Sequence, residues 1–136
     1  MVQVKSVKTG TQFQTSGTGN YSSGTQITEL TINITPQSST NTMLVMLSTN
    51  GMIYGSGTED HGVIIKANGS EIKRVNCYKA DNTWDAGNWS GTVLHSPSST
   101  TEQAYTVWYY RDGGNANDFR LNRNGDSTLT VMEIAG

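Results

Sequence analysis

One cysteine, Cys77, is all the chain contains, so no intrachain disulfide can form and shape has to come from packing. Charge is sparse: nine Lys and Arg, spread along the chain, stand against eleven Asp and Glu, for a formal net charge of -2. Without a basic patch to neutralise phosphates, nucleic acid is excluded as a partner. No run approaches the roughly 20 apolar residues of a membrane helix, which argues against membrane insertion. The first residues, Met1-Val2-Gln3-Val4-Lys5, lack the apolar stretch of a signal peptide, so synthesis in a cytoplasm is expected. Periodicity of 3.6 is missing too, and no helix is expected.

What is present favours strands and turns. The 136 residues fit one domain, read here as residues 1–136 with 1–8 as an extended arm or first strand. Only 34% of the residues are hydrophobic, there are 15 Gly and two Pro, and Ser, Thr and Asn abound. A core this lean buries little apolar area per residue, so burial against identical neighbours would help the folded state.

Leu30, Ile32 and Ile34 alternate with Thr31, Asn33 and Thr35 before Pro36, the pattern of a half-buried strand. Thr42 to Leu47 is apolar on consecutive positions and reads as a strand covered on both faces, by core or by a partner subunit. Gly62 to Lys66 and Glu71 to Val75 flank Asn68-Gly69, a pair that readily takes the positive φ angles of a tight hairpin. Further strands are expected at Val2 to Ser6, Thr11 to Gln14, Thr92 to His95, Ala104 to Tyr110, Asp118 to Leu121 and Ser127 to Ile134. Leu129, Val131 and Glu133 share one face of the last of these. Eight to ten strands suit an all-β, single-domain antiparallel β-sandwich or jelly roll. Thr15 to Thr25, Ser48 to Asp60, Lys79 to Gly91 and Arg111 to Asn117 read as loops.

No motif carries chemistry. Glu59-Asp60-His61 lies on an extended chain whose neighbours point to opposite faces, so the three cannot easily converge on one atom. His95 has no nucleophile elbow beside it. Cys77 and the two histidines lack metal-ligand spacing, and Cys77 reads as a buried filler. The loop Asp112 to Asp118 gathers oxygens without the closing Glu of a calcium site. No enzyme, cofactor or metal is expected. Trp84 and Trp89, with Asp85 and Asn88, have two readings: a sugar- or protein-contact surface, or an inward-folded cap on the sandwich. Tyr105, Val107, Tyr109, Leu129 and Val131 are candidates for core or trimer-facing positions.

Ile27-Thr28-Glu29-Leu30-Thr31-Ile32-Asn33-Ile34-Thr35-Pro36 and Asn41 to Met46 resemble a module common in phages, notably cyanophages. Leu94-His95-Ser96-Pro97, Ala104-Tyr105-Thr106-Val107 and the ending Ser127 to Ile134 extend the resemblance over nearly the whole chain. Such modules are similar to the trimeric jelly rolls of the tumour-necrosis-factor and complement type, found at tail-fibre tips and as small virion proteins. His95 stands where the family usually has Asp, and Met43 where it has Lys or Arg. The resemblance implies a homotrimer on the virion surface.

Because the module begins within ten residues of Met1, no attachment domain is expected before it. The favoured function is a non-enzymatic capsid decoration (cement) protein that docks as homotrimers on the major capsid protein. The alternative is a tail-fibre tip or appendage that binds a host-surface receptor or glycan through the Trp84 and Trp89 loop.

Overall fold

A computed structural model describes residues 1–17, 24–54, 59–79, 84–112 and 117–136, with side chains described at all of these except 15–17, 52–54, 59, 77–79, 84–86, 112 and 117–118. The described residues are strand and turn: β1 (Gln3–Thr9), β2 (Phe13–Gly17), β3 (Thr25–Ile34), β4 (Thr42–Ser48), β5 (Gly51–Tyr54), β6 (Glu59–Ala67), β7 (Ser70–Lys79), β8 (Trp84–Gly87), β9 (Ser90–His95), β10 (Gln103–Asp112), β11 (Asn117–Leu121) and β12 (Ser127–Ile134).

The strands form the orders β1-β12-β4-β9, β2-β11-β5-β8 and β3-β10-β6-β7, all antiparallel. The first two orders are one sheet. β1 runs on into β2, β12 follows from β11, β4 runs on into β5 and β9 follows from β8, with the same neighbours on either side of each break. Joined in this way, the twelve segments are eight long strands in two four-stranded sheets, sheet I and sheet II. Numbered along the chain, they lie in the orders 1-8-3-6 and 2-7-4-5. That interleaving, in which the first strand pairs with the last, is a jelly roll.

Sheet I is creased where its four strands break. There the ladder is replaced by side bonds, as buried backbone groups require. Thr49 donates to the Trp89 carbonyl from N (3.2 Å) and Oγ1 (2.7 Å). Asn122, at φ 60°, donates from N to Asn50 O (2.8 Å) and from Nδ2 to Thr11 O (3.0 Å), and accepts from Ser127 Oγ (2.7 Å). Asn is among the few residues that take this left-handed conformation readily.

The core lies between the sheets and follows the period of two. Ile32 and Ile34, Met43, Val45 and Leu47, Val63 and Ile65, Tyr105, Val107 and Tyr109, and Leu129 and Val131 are all buried. Tyr109 stacks on Phe119 at 3.6 Å between ring centroids, and Phe119 on Trp89 at 5.2 Å. Phe13 leans on both Tyr109 and Phe119 at 6.2 Å. A register shift between Thr106 and Val107 accommodates the extra residues of β3 between Ile27 and Thr31.

The Asn68-Gly69 turn joins β6 to β7 with φ of 48° and 83°, the two positive angles its sequence predicts. Other expectations change. β5 and β8 occupy stretches read as loops, and β2, β7 and β10 reach into others. These segments are rich in Gly, Ser and Asn, and pairing with established neighbours makes strands of them against their weak intrinsic preference. β4 is buried on one face only: Met43, Val45 and Leu47 point inward, while Thr42, Leu44 and Met46 are half-buried on the outside.

Gly62, opposite Asn76 on β7, sits where a Cβ would lie 1.9 Å from the Val75 carbonyl oxygen, a backbone atom that cannot swing away. Gly62→Ala should therefore force β6 from β7 and cost about 2 kcal/mol. Gly87→Ala, with nothing within 4 Å of its Cβ, should change stability by no more than about 0.5 kcal/mol. Urea unfolding of the two variants checks the contrast, and equal midpoints would refute it.

Candidate interaction face

The two outer faces of the sandwich are built differently. In the β1-β12-β4-β9 half of sheet I, alternation turns Val4, Ser6 and Lys8 outward from β1, and Thr128, Thr130, Met132 and Ile134 from β12. Thr42, Leu44, Met46 and Ser48 do the same from β4, and Ser90, Thr92 and Leu94 from β9. The register sets Val4 beside Met132, Met132 beside Leu44, and Leu44 beside Leu94. One apolar row thus crosses the sheet from edge to edge, with Met46 and Ile134 alongside. Val4 is 42% and Leu94 64% exposed, so the row is open to solvent. Its flanks are hydroxyls, among them Ser6 and Thr130, whose side chains share a hydrogen bond of 2.9 Å. Lys8 is the one charged residue among those fourteen outward positions, and it is paired with Asp126 at 2.6 Å.

Sheet II closes its own outer face. Ile64 points outward between Trp108 and Arg74 yet is fully buried. The Lys66 ammonium lies 3.8 Å from the Trp108 ring centroid and the Arg74 guanidinium 4.2 Å from that of Tyr110. Arg74 also binds Glu71 at 2.6 Å, a hydrogen bond that holds the Glu71 carboxyl below its ordinary pKa. Tyr110 donates to Asn76 Oδ1. Long side chains with their partners in place cover the apolar surface here, as amphipathic side chains do.

The residues singled out in the sequence fall in several places. Trp89 is turned inward and only 6% exposed, between Phe119 and the edge of His61 (5.6 Å), with its ring over Gly51. Of its two readings, the inward cap is the one observed, because the crease at Trp89 aims the ring into the sandwich. Asn88 beside it is exposed. Trp84 and Asp85 lie on β8 opposite Tyr54 and Ile53, and their side chains are outside the described residues. Tyr105, Val107, Tyr109, Leu129 and Val131 all sit inside the single chain.

Within Glu59-Asp60-His61, His61 is buried, Asp60 accepts from Asn76 at 3.4 Å on the other face, and the Glu59 side chain lies outside the described residues, as does that of Cys77. Residues 113–116 of the oxygen-rich loop are also outside them. His95 shares a 2.8 Å hydrogen bond with Tyr105 across the two sheets. Burial pushes the Tyr105 hydroxyl up to about 12 and the His95 imidazole below its ordinary value. Among the described residues, no three His, Cys, Asp or Glu gather in a way that could hold a metal ion.

Sequence reasoning missed Val4, Leu94 and Met132 as a surface. The available signal was the apolar outward position repeated on β1, β4, β9 and β12, which becomes a row only once the register is known.

No protein-family model and no curated protein matches this chain. Among solved structures it is similar to a chain of infectious bursal disease virus strain Gx, at 13% identity and TM-score 0.46, over 95% of this chain and 37% of that one. It is similar also to VP2 of the subviral particle of that virus, at 12% identity and TM-score 0.42, over 98% and 37%. The chain spans little more than a third of the length of these proteins. The fold assignment rests on its own strand order and register.

Proposed function

We propose that this chain is a non-enzymatic structural protein of a bacteriophage particle, a decoration (cement) protein that docks as homotrimers on the major capsid protein at the virion surface. The observation that carries the reading is the open, almost uncharged apolar row on the outside of sheet I. Such a row on a small domain is an association surface, since exposed apolar area is gained back only by contact with another subunit. The resemblance of Ile27 to Pro36, Asn41 to Met46 and Ser127 to Ile134 to phage virion modules supplies the kind of particle. Cement proteins act by adding buried interface between shell subunits, which stabilises the assembled state over the dissociated one.

The tail-tip alternative draws its receptor or glycan contact from Trp84 and Trp89, and Trp89 is committed to the core. Purified virions decide between them. Quantitative mass spectrometry should find on the order of one copy of this chain per major capsid subunit, as a shell-covering trimer requires by symmetry. A ratio tens of times lower would place the protein on a tail or vertex and overturn the cement reading.

A further inference from the structure

We infer that Asn124 is a site of spontaneous covalent modification, where the folded chain turns its own asparagine amide into a carboxylate, and that the fold withholds the same reaction from Asn50 and Asn68.

The chemistry runs most readily where glycine follows asparagine, and the sequence has three such pairs, Asn50-Gly51, Asn68-Gly69 and Asn124-Gly125. The glycine nitrogen attacks the asparagine Cγ, the side-chain nitrogen leaves as ammonia, and the ring so formed is a succinimide. Water then opens the ring at either carbonyl, to aspartate or to isoaspartate. Glycine favours the attack because it has no Cβ to block the approach and lets the backbone take the angles that the ring demands. Selectivity among the pairs is then a matter of what holds each one still.

At Asn68 both ends of the amide are tied to β10. Nδ2 donates to Gln103 Oε1 at 2.7 Å, and Oδ1 accepts from the Ala104 amide at 2.9 Å. Its Cγ can reach the Gly69 nitrogen only after both bonds break. At Asn50 it is the glycine that is fixed: Gly51 is buried, sits in the ladder between Leu121 and Gly87, and lies under the Trp89 ring. Its nitrogen cannot turn to attack while β5 keeps its place. Asn124 and Gly125 are both exposed in the bend between β11 and β12, and among the described residues no hydrogen bond holds the Asn124 side chain. The aspartyl product would add a carboxylate near Asp126, the partner of Lys8. The isoaspartyl product would lengthen the main chain by a carbon close to Asn122, which holds the crease of sheet I through Asn50 and Thr11.

Peptide mapping by mass spectrometry tests this on the purified full-length chain, held in mildly alkaline buffer at physiological temperature. Asn124 should convert roughly tenfold or more faster than Asn68 and Asn50, whose reaction waits for local opening. In unfolding urea the three rates should come together to within about threefold, because no pair is then held. Gly125→Ala, whose Cβ would meet only the Asn50 side chain at 3.2 Å, should slow conversion at Asn124 in the folded protein. A folded chain in which Asn68 or Asn50 converts as fast as Asn124, or in which Asn124 stays an amide, would overturn the inference. So would a lead for Asn124 that persists in urea, since the selectivity would then belong to the neighbouring residues and not to the fold. An Asn124 rate unchanged by Gly125→Ala would rule out attack by that nitrogen and overturn it as well.

Discussion

Trp89→Ala is expected to destabilise the protein by about 3–5 kcal/mol, the usual cost of emptying a large aromatic site in a core. The ring is stacked on Phe119, capped by the edge of His61 and packed over Gly51, whose missing Cβ is what admits it: a Cβ there would lie 2.3 Å from Trp89 Cζ3. Its backbone carbonyl also receives both Thr49 bonds at the crease, so loss of the ring loosens the place where β4 passes into β5. For a domain of this size the melting temperature should fall by roughly 10–20 °C. Urea titrations at one fixed protein concentration measure the change, since the proposed assembly would make apparent stability concentration-dependent. Trp89→Phe should recover part of the loss. A Trp89→Ala midpoint within about 1 kcal/mol of wild type would show that the ring is not an anchor of the core.

Glu133→Gln is expected to cost about 2–4 kcal/mol at neutral pH and to flatten the acid side of the stability profile. Glu133 is fully buried at the end of the inward row Ser127, Leu129, Val131. Its Oε1 accepts from Asn41 Nδ2 and from the Gln37 amide, each at 2.7 Å, and its Oε2 from Gln3 Nε2 at 2.6 Å. Burial by itself pushes the carboxyl up, but these bonds, with one from the Ser38 backbone, outweigh it and hold the group below its ordinary value of 4.5. The folded state therefore prefers the ionised form more than the unfolded chain does. The stabilisation is complete above the unfolded value and drains away as pH falls through the folded one.

A glutamine keeps the shape but presents an NH2 to groups that are themselves donors, so the penalty is largest where the wild type is ionised. The gap between the two proteins should be widest at pH 7 and narrow toward pH 3. A constant gap would mean that the charge of Glu133 contributes nothing. His95 gives a separate arm: burial lowers its pKa, so stability begins to fall as pH drops below about 6.5 in both proteins.

The fold was readable in the sequence wherever one face of a strand is buried. Ile32 and Ile34, Tyr105 to Tyr109 and Leu129 to Val131 alternate cleanly, and Asn68-Gly69 marks its hairpin, because burial and turn geometry are local demands on residue type. The second half of sheet I was readable only in part: β2 and β11 overlap strands expected at Thr11 to Gln14 and Asp118 to Leu121, while β5 and β8 lie in stretches read as loops. β5 and β8 are four residues each and lie in Gly- and Asn-rich stretches, strands only because β11 and β5 offer them an edge. The interaction face was half visible: the apolar run Met43 to Leu47 suggested two covered faces, and the structure shows one covered and one open. What joins Leu44 to Met132, Val4 and Leu94 is register between strands as many as about 130 residues apart, which no local pattern encodes. Trp89 shows the converse, since a tryptophan among Asp, Asn and Gly looks exposed until the crease that turns it inward is seen.

The pairing of β1 with β12 also has a kinetic side. Gln3 lies opposite Glu133, so β1 stays an open edge until β12, about 120 residues further along, has docked beside it. Closing so long a loop is entropically slow, whereas β6 and β7 can zip from the two-residue turn between them. Folding should then begin at the Asn68-Gly69 hairpin and finish with β12 sliding between β1 and β4. That last step also completes the outer row of sheet I, because Met132 is its link between Val4 and Leu44. A chain in which β12 has yet to dock thus lacks the finished row, and whatever contact the row makes has to wait for the fold.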